Sequence, residues 1–136
     1  MMHYSQIAAE GDADGLRDIA EIITSRLAVR VLKPPSPGMV MVRQVDPLEN
    51  ITFLLGEAYV TECEVEVDGQ PGYGCVLGAS DERALCSALF DAVVGGNHAV
   101  AAEIAPLLDA LEAQISARWE AESRAAATTR VEFETR

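Results

Sequence analysis

The stretch Tyr59–Val67 constrains the fold more than any other part of the chain. Thr61, Cys63, Val65 and Val67 alternate there with Glu62, Glu64 and Glu66. A period of two places the first set on one face of a strand and the three carboxylates on the other. One face is buried and one is wet, which is the pattern of an antiparallel sheet covered on one side. Asp68-Gly69-Gln70-Pro71 then supplies a turn, and Gly72–Gly78 returns as the partner strand. Tyr73, Cys75 and Leu77 fall on one face of that strand and Val76 on the other. Gly69 suits a hairpin position with positive φ, and Gly78 precedes the helix cap Ser80, so both are read as backbone residues without direct chemistry.

Other segments supply further elements. The first ten residues are polar and expected to be frayed. Asp12 or Asp14 can cap a helix near 13–27, with Leu16, Ile19, Ala20, Ile23 and Leu27 at helical spacing. A short strand is expected to end near Lys33, where Pro34, Pro35, Pro37 and Gly38 give a rigid loop. Met39–Val45 is a β run that is apolar on both faces, closed by Asp46-Pro47. Ile51–Leu55 is a second short run, ended by Gly56. Ser80 caps a helix whose stripe is Leu85, Ala88, Leu89, Ala92 and Val93, ended by Gly95-Gly96. Asn97 can cap the next, with Val100, Ile104, Leu108, Leu111, Ile115 and Trp119 at near-heptad spacing. Pro106 predicts a kink or restart inside it. The tail alternates again and reads as a lone strand, Thr129–Phe133. Together these pieces define an α+β fold: an antiparallel sheet of about four to five strands with three to four helices packed on it.

Size and charge narrow the function classes. At 136 residues the chain is expected to form one domain, 1–136. Its net charge of −12 repels phosphate backbones and anionic lipid, so neither nucleic acid nor membrane is an expected partner. Beyond solubility, that charge points to a basic partner. No apolar run approaches the roughly 18 residues that cross a bilayer, and no secretory signal is read at the start. Cys63, Cys75 and Cys86 have spacings that fit no zinc or redox pair and are read as small buried hydrophobes in a reducing cytoplasm.

Catalytic constellations are missing from the residues. There is no HExxH, no Cys/His cluster and no GxSxG. His3 and His98 are read as solvated. The row Glu62, Glu64, Glu66 lacks a converging partner and is read as a solvated face. The profile is that of an interaction subunit, with no catalytic, cofactor or metal residues assigned.

Several segments in order resemble PhnG, the small subunit of the carbon–phosphorus lyase core complex. PPSPGMVMVR resembles the family's PPexGLVMvR strand, and LLGEAYVT, Leu54 to Thr61, its F-x-LGEaTvTR segment. VDGQPGYGCVLGASDERALCSALFDAVV resembles its Gly-Tyr hairpin followed by a helix carrying ALxDAL. Ala125 to Phe133 resembles its AAT-x-VDFFTMVRG tail. Glu62, Asp81-Glu82 and Glu134 depart from the pattern on expected contact surfaces.

The resemblance implies a cytoplasmic supporting subunit without a cofactor of its own, acting with PhnH-, PhnI-, PhnJ- and PhnL-like proteins in phosphonate use. That assembly joins methylphosphonate to C1 of the ATP ribose and displaces adenine, giving α-D-ribose 1-methylphosphonate 5-triphosphate. The iron–sulfur and S-adenosylmethionine chemistry belongs to the PhnJ-like subunit. Expected partner contacts are Arg43, Glu57, Thr61, Tyr73, Arg130, Val131 and Phe133, the last three in a docking tail. The alternatives are a small homodimeric interaction protein and a ligand-binding domain, with no phosphonate role.

Overall fold

The computed structural model describes residues 2–134, with side chains through residue 126. Two short helices come first, α1 (Tyr4–Glu10) and α2 (Ala13–Arg26). Three strands follow: β1 (Val29–Val45), β2 (Thr52–Val67) and β3 (Gln70–Leu77). Then come α3 (Asp81–Phe90), a π-helical turn (Asp91–Gly95) and the long α4 (Ala101–Glu134). The sheet has the order β1-β2-β3 with both pairings antiparallel. The fold is α+β, as the pattern of residues 59–67 requires.

The expected four to five strands become three because two breaks are bridged. β1 runs straight through Pro34, Pro35 and Pro37. It is an edge strand, so the missing N–H groups need no ladder partner. Register slips between Val31 and Lys33 and between Lys33 and Ser36 absorb the rings. β2 likewise continues through Gly56, whose φ of +148° accommodates a slip opposite Val42 and Arg43.

Both chain ends also depart from expectation. The N-terminal stretch is the helix α1, with Ile7 and Ala8 buried. Long-range contacts hold it. The Tyr4 hydroxyl donates to Asp91 Oδ1 at 2.6 Å, and the Arg83 guanidinium donates to the carbonyls of Ala8, Ala9 and Gly11 at the helix's C-terminal end. A cation there satisfies orphan acceptors and complements the dipole. At the other end α4 continues through Glu134, so the Thr129–Phe133 segment is helical rather than a strand. No Gly or Pro follows Pro106, and the alanines at 125–127 propagate a helix at little cost. Nor does the helix restart at Pro106, which sits near its N-terminal end, where the loss of one hydrogen bond is tolerated.

The core forms where α3 lies on the sheet. Cys63, Val65, Val67 and Val76 meet Ala84, Ala88, Leu89 and Phe90, and α2 adds Leu16, Ile19 and Ile23. From α4 come Ile104, Leu108, Leu111 and Ile115; beyond Ile115, Arg118 donates to the Glu10 carbonyl of α1 at 3.3 Å, and Trp119 is exposed. Asp12 and Ser80 cap α2 and α3 through Gly15 and Arg83 N–H groups. No helix among the described residues is long and apolar enough to cross a membrane.

His98, expected to be merely solvated, is tied into the fold. Its Nδ1 accepts the Val100 N–H at 3.1 Å, so its Nε2 carries the proton and donates to Asp68 Oδ2 at 3.0 Å. Asp68 Oδ1 also accepts the Ala28 N–H at 2.9 Å. These bonds, the Ala28 one foremost, hold the Asp68 carboxyl below its ordinary value of 3.8. A depressed carboxylate stabilises the fold above its unfolded value and loses that contribution as pH falls through its folded one. Asp68→Asn is therefore expected to be less stable than wild type at pH 7. The gap should close as pH drops below about 4, and urea melts across that range measure it.

Candidate interaction surface

β3 ends where Leu77 pairs with Val60. Beyond that point β1 and β2 run on together, from the Gly38↔Val60 pair to the Val45↔Thr52 pair. At about 3.4 Å per residue this two-stranded arm projects about 25 Å from the body. Cross-strand pairing assigns its faces. Met39, Met41, Arg43, Leu54, Glu57 and Tyr59 continue the core-side face of the sheet. Val40, Val42, Gln44, Phe53 and Ala58 continue the face that bears Glu62, Glu64 and Glu66.

Both faces are apolar and both are open. Met39 is 62% exposed, Met41 54% and Leu54 57% on the first; Val42 is 39% and Phe53 45% on the second. The tip is ordered by its own hydrogen bonds. Asp46 Oδ1 accepts the Leu48 N–H, and Asp46 and Ile51 close the turn backbone to backbone. That turn lifts Leu48 into solvent at 93% exposure. A contiguous apolar patch of this extent marks an interaction site. An isolated hairpin is only marginally stable in water, so the arm depends on its continuity with the β1–β2 ladder of the body.

The residues expected at an interface divide between the arm and the body. Arg43 and Glu57 lie on the same face of the arm, and neither forms an ion pair among the described residues. Tyr73 lies in the body, opposite Glu64 on the wet face. Its hydroxyl donates to Glu62 Oε1 at 2.7 Å, while Lys33 donates to Glu62 Oε2 at 3.4 Å. Those two bonds, Tyr73's first, lower the Glu62 pKa, and the Glu62 carboxylate raises that of Tyr73. Glu66 pairs with Arg30. Of the acidic row, Glu62 and Glu66 are thus ion-paired on the outer face and Glu64 is exposed.

Thr61 corrects the expectation of a surface contact, since it is buried. Its hydroxyl donates to the Gly78 carbonyl at 2.7 Å and accepts the Ser80 N–H at 3.2 Å, fastening the β3–α3 connection to β2. Thr61→Val keeps the shape and orphans both groups. It should cost about 1–3 kcal/mol in a urea melt, and an unchanged midpoint would contradict this role. The side chains of Arg130, Val131 and Phe133 lie outside the described residues.

Reading the sequence missed Met39, Met41, Leu48, Phe53 and Leu54 as site residues. Their signal was present: a run apolar on both faces needs cover on both, and a sheet with one wet face cannot provide it.

Two of the three thiols, Cys63 and Cys86, are buried. Burial pushes the Cys63 thiol up and the Cys86 thiol to about 11, which keeps both protonated and unreactive at neutral pH. A half-open apolar cleft of about 430 Å³ lies between α1 and α4, lined by Met2, Tyr4, Ile7, Val94, Leu108 and Glu112. Tyr4 at its edge is held protonated by Asp91, its pKa raised to about 12. No group of three or more His, Cys, Asp or Glu side chains suited to a metal converges among the described residues.

An α+β body with a projecting apolar arm defines a protein built to join an assembly. The sequence model of one family, described as phosphonate metabolism protein PhnG, matches residues 2–136. The chain belongs to that family, and its role lies in phosphonate metabolism. No curated protein matches it significantly.

Proposed function

We propose that this chain is a supporting, non-catalytic subunit of the carbon–phosphorus lyase core complex, working in the cytoplasm with PhnI-, PhnJ- and PhnH-like subunits. The assembly forms α-D-ribose 1-methylphosphonate 5-triphosphate: the phosphonate oxygen bonds to C1 of the ATP ribose and adenine leaves. The chain contributes no cofactor to that step. The arm carries this reading. It is apolar and exposed on both faces, through Met39, Met41 and Leu54 on one and Val42 and Phe53 on the other.

Co-expression of the tagged full chain with the PhnH-, PhnI- and PhnJ-like subunits tests it. A stable complex of defined mass is expected. Recovery of the chain alone, with the other subunits assembling without it, would overturn the proposal.

A further inference from the structure

Resting on that reading, we infer that the arm is a tongue enclosed on both faces by an apolar slot with a basic rim, on one partner subunit. Three observations lead there. Met41 and Val42 are neighbours in β1, point to opposite faces, and are 54% and 39% exposed. Docking on one side alone would leave the other row of apolar side chains in water.

The area leads to the same conclusion. A ribbon about 25 Å long and about 10 Å wide offers roughly 250 Å² per face in projection. Specific interfaces bury about 800 Å² per partner. The arm approaches that only when both faces and both edges are covered.

Charge selects the occupant. The arm carries one basic residue, Arg43, against Asp46, Glu49 and Glu57, and the chain as a whole carries −12. A second copy would bring like charge against like. It would also pair edge to edge, which extends the ribbon sideways and leaves both apolar faces wet. A slot rimmed with Lys or Arg meets Asp46 and Glu49 at the tip and Glu57 midway. The bonded turn at Asp46–Ile51 holds Leu48 ready at the end of the tongue, so little ordering remains to be done on binding.

The test uses the full chain with the other phosphonate subunits and two single variants, Met41→Asp and Val42→Asp. Neither residue belongs to the core cluster, so both variants should melt as wild type does. Each should weaken assembly roughly 30-fold or more, the scale of a centrally buried interface residue. The chain alone should sediment as a monomer at micromolar concentration. Loss of assembly in only one variant would show one-sided docking and overturn the inference, as would full assembly in both. A dimer of the chain alone that Met41→Asp dissolves would assign the arm to a second copy, also against it. If wild type joins none of the subunits, the subunit reading fails and this inference falls with it, a result distinct from the others.

Discussion

Replacing residues 40–58 with Asn-Gly should give a protein that folds and does not assemble. The replacement closes β1 onto β2 at the Met39↔Tyr59 pair with a two-residue loop of the kind that hairpins favour. No residue of the excised segment belongs to the core cluster or packs against it. The body keeps α3 on the sheet, the Arg83 clamp on α1 and the Asp68–His98 pair. Its melting temperature is expected to stay within a few degrees of wild type. Removing the apolar surface should cost at least about 3 kcal/mol of binding, more than a hundredfold in affinity. Calorimetry reads the first quantity and titration against the partner subunits the second. A truncated chain that unfolds would show that the arm holds up the body. One that binds with full affinity would show that docking happens elsewhere.

Gly72→Ala and Gly74→Ala should be among the most damaging single substitutions in the body. A Cβ on Gly72 would stand 2.3 Å from the Ala88 carbonyl oxygen and 2.7 Å from the Ala92 nitrogen. One on Gly74 would stand 2.3 Å from the Ala84 carbonyl oxygen and 2.5 Å from the Ala88 nitrogen. These neighbours are the backbone of α3 and of the π-helical turn that follows it, which cannot rotate aside as a side chain would. Relief requires lifting the helix off the sheet, which opens the contact that buries Val65, Leu89 and Phe90. Each substitution should cost about 3 kcal/mol or more, from a total of roughly 5–15 kcal/mol for a protein of this kind. Gly69→Ala is the useful contrast. Its φ of +84° disfavours a side chain, yet nothing lies within 4 Å of the added carbon. That substitution should cost about 1–2 kcal/mol. Equal urea midpoints for Gly69→Ala and Gly72→Ala would contradict the close helix–sheet approach.

Local patterns carried most of the body. The alternation at residues 61–67 shows β2, and Asp12 and Ser80 mark the helix starts because capping is satisfied within one turn. Long-range causes were hidden. Residues 4–10 look too short and polar to form a helix, and they do so because Arg83 and Asp91, far along the chain, meet them. The prolines at 34, 35 and 37 read as a loop because the sequence does not reveal that β1 is an edge strand. The alternating tail fits a strand, yet it follows an alanine-rich helix with no breaker, and propagation prevails.

The candidate surface was half legible. Arg43 and Glu57 do fall on the arm, and Met39–Val45 reads as apolar on both faces. That such a run projects into solvent instead of filling a core depends on β3 ending at Leu77, a matter of strand length that no local window contains. Thr61 belongs with Cys63 and Val65 on the buried face by simple alternation, and that parity argues against a surface role.

In the proposed role this chain serves chemistry performed by other subunits. Adenine release from ATP and methylphosphonate tests this most directly, measured with the other phosphonate subunits alone, with the full chain added back, and with the full chain by itself. The expected result is rapid release only when chain and partners are together. Release by the isolated chain, or an undiminished rate from the partners without it, would contradict the account.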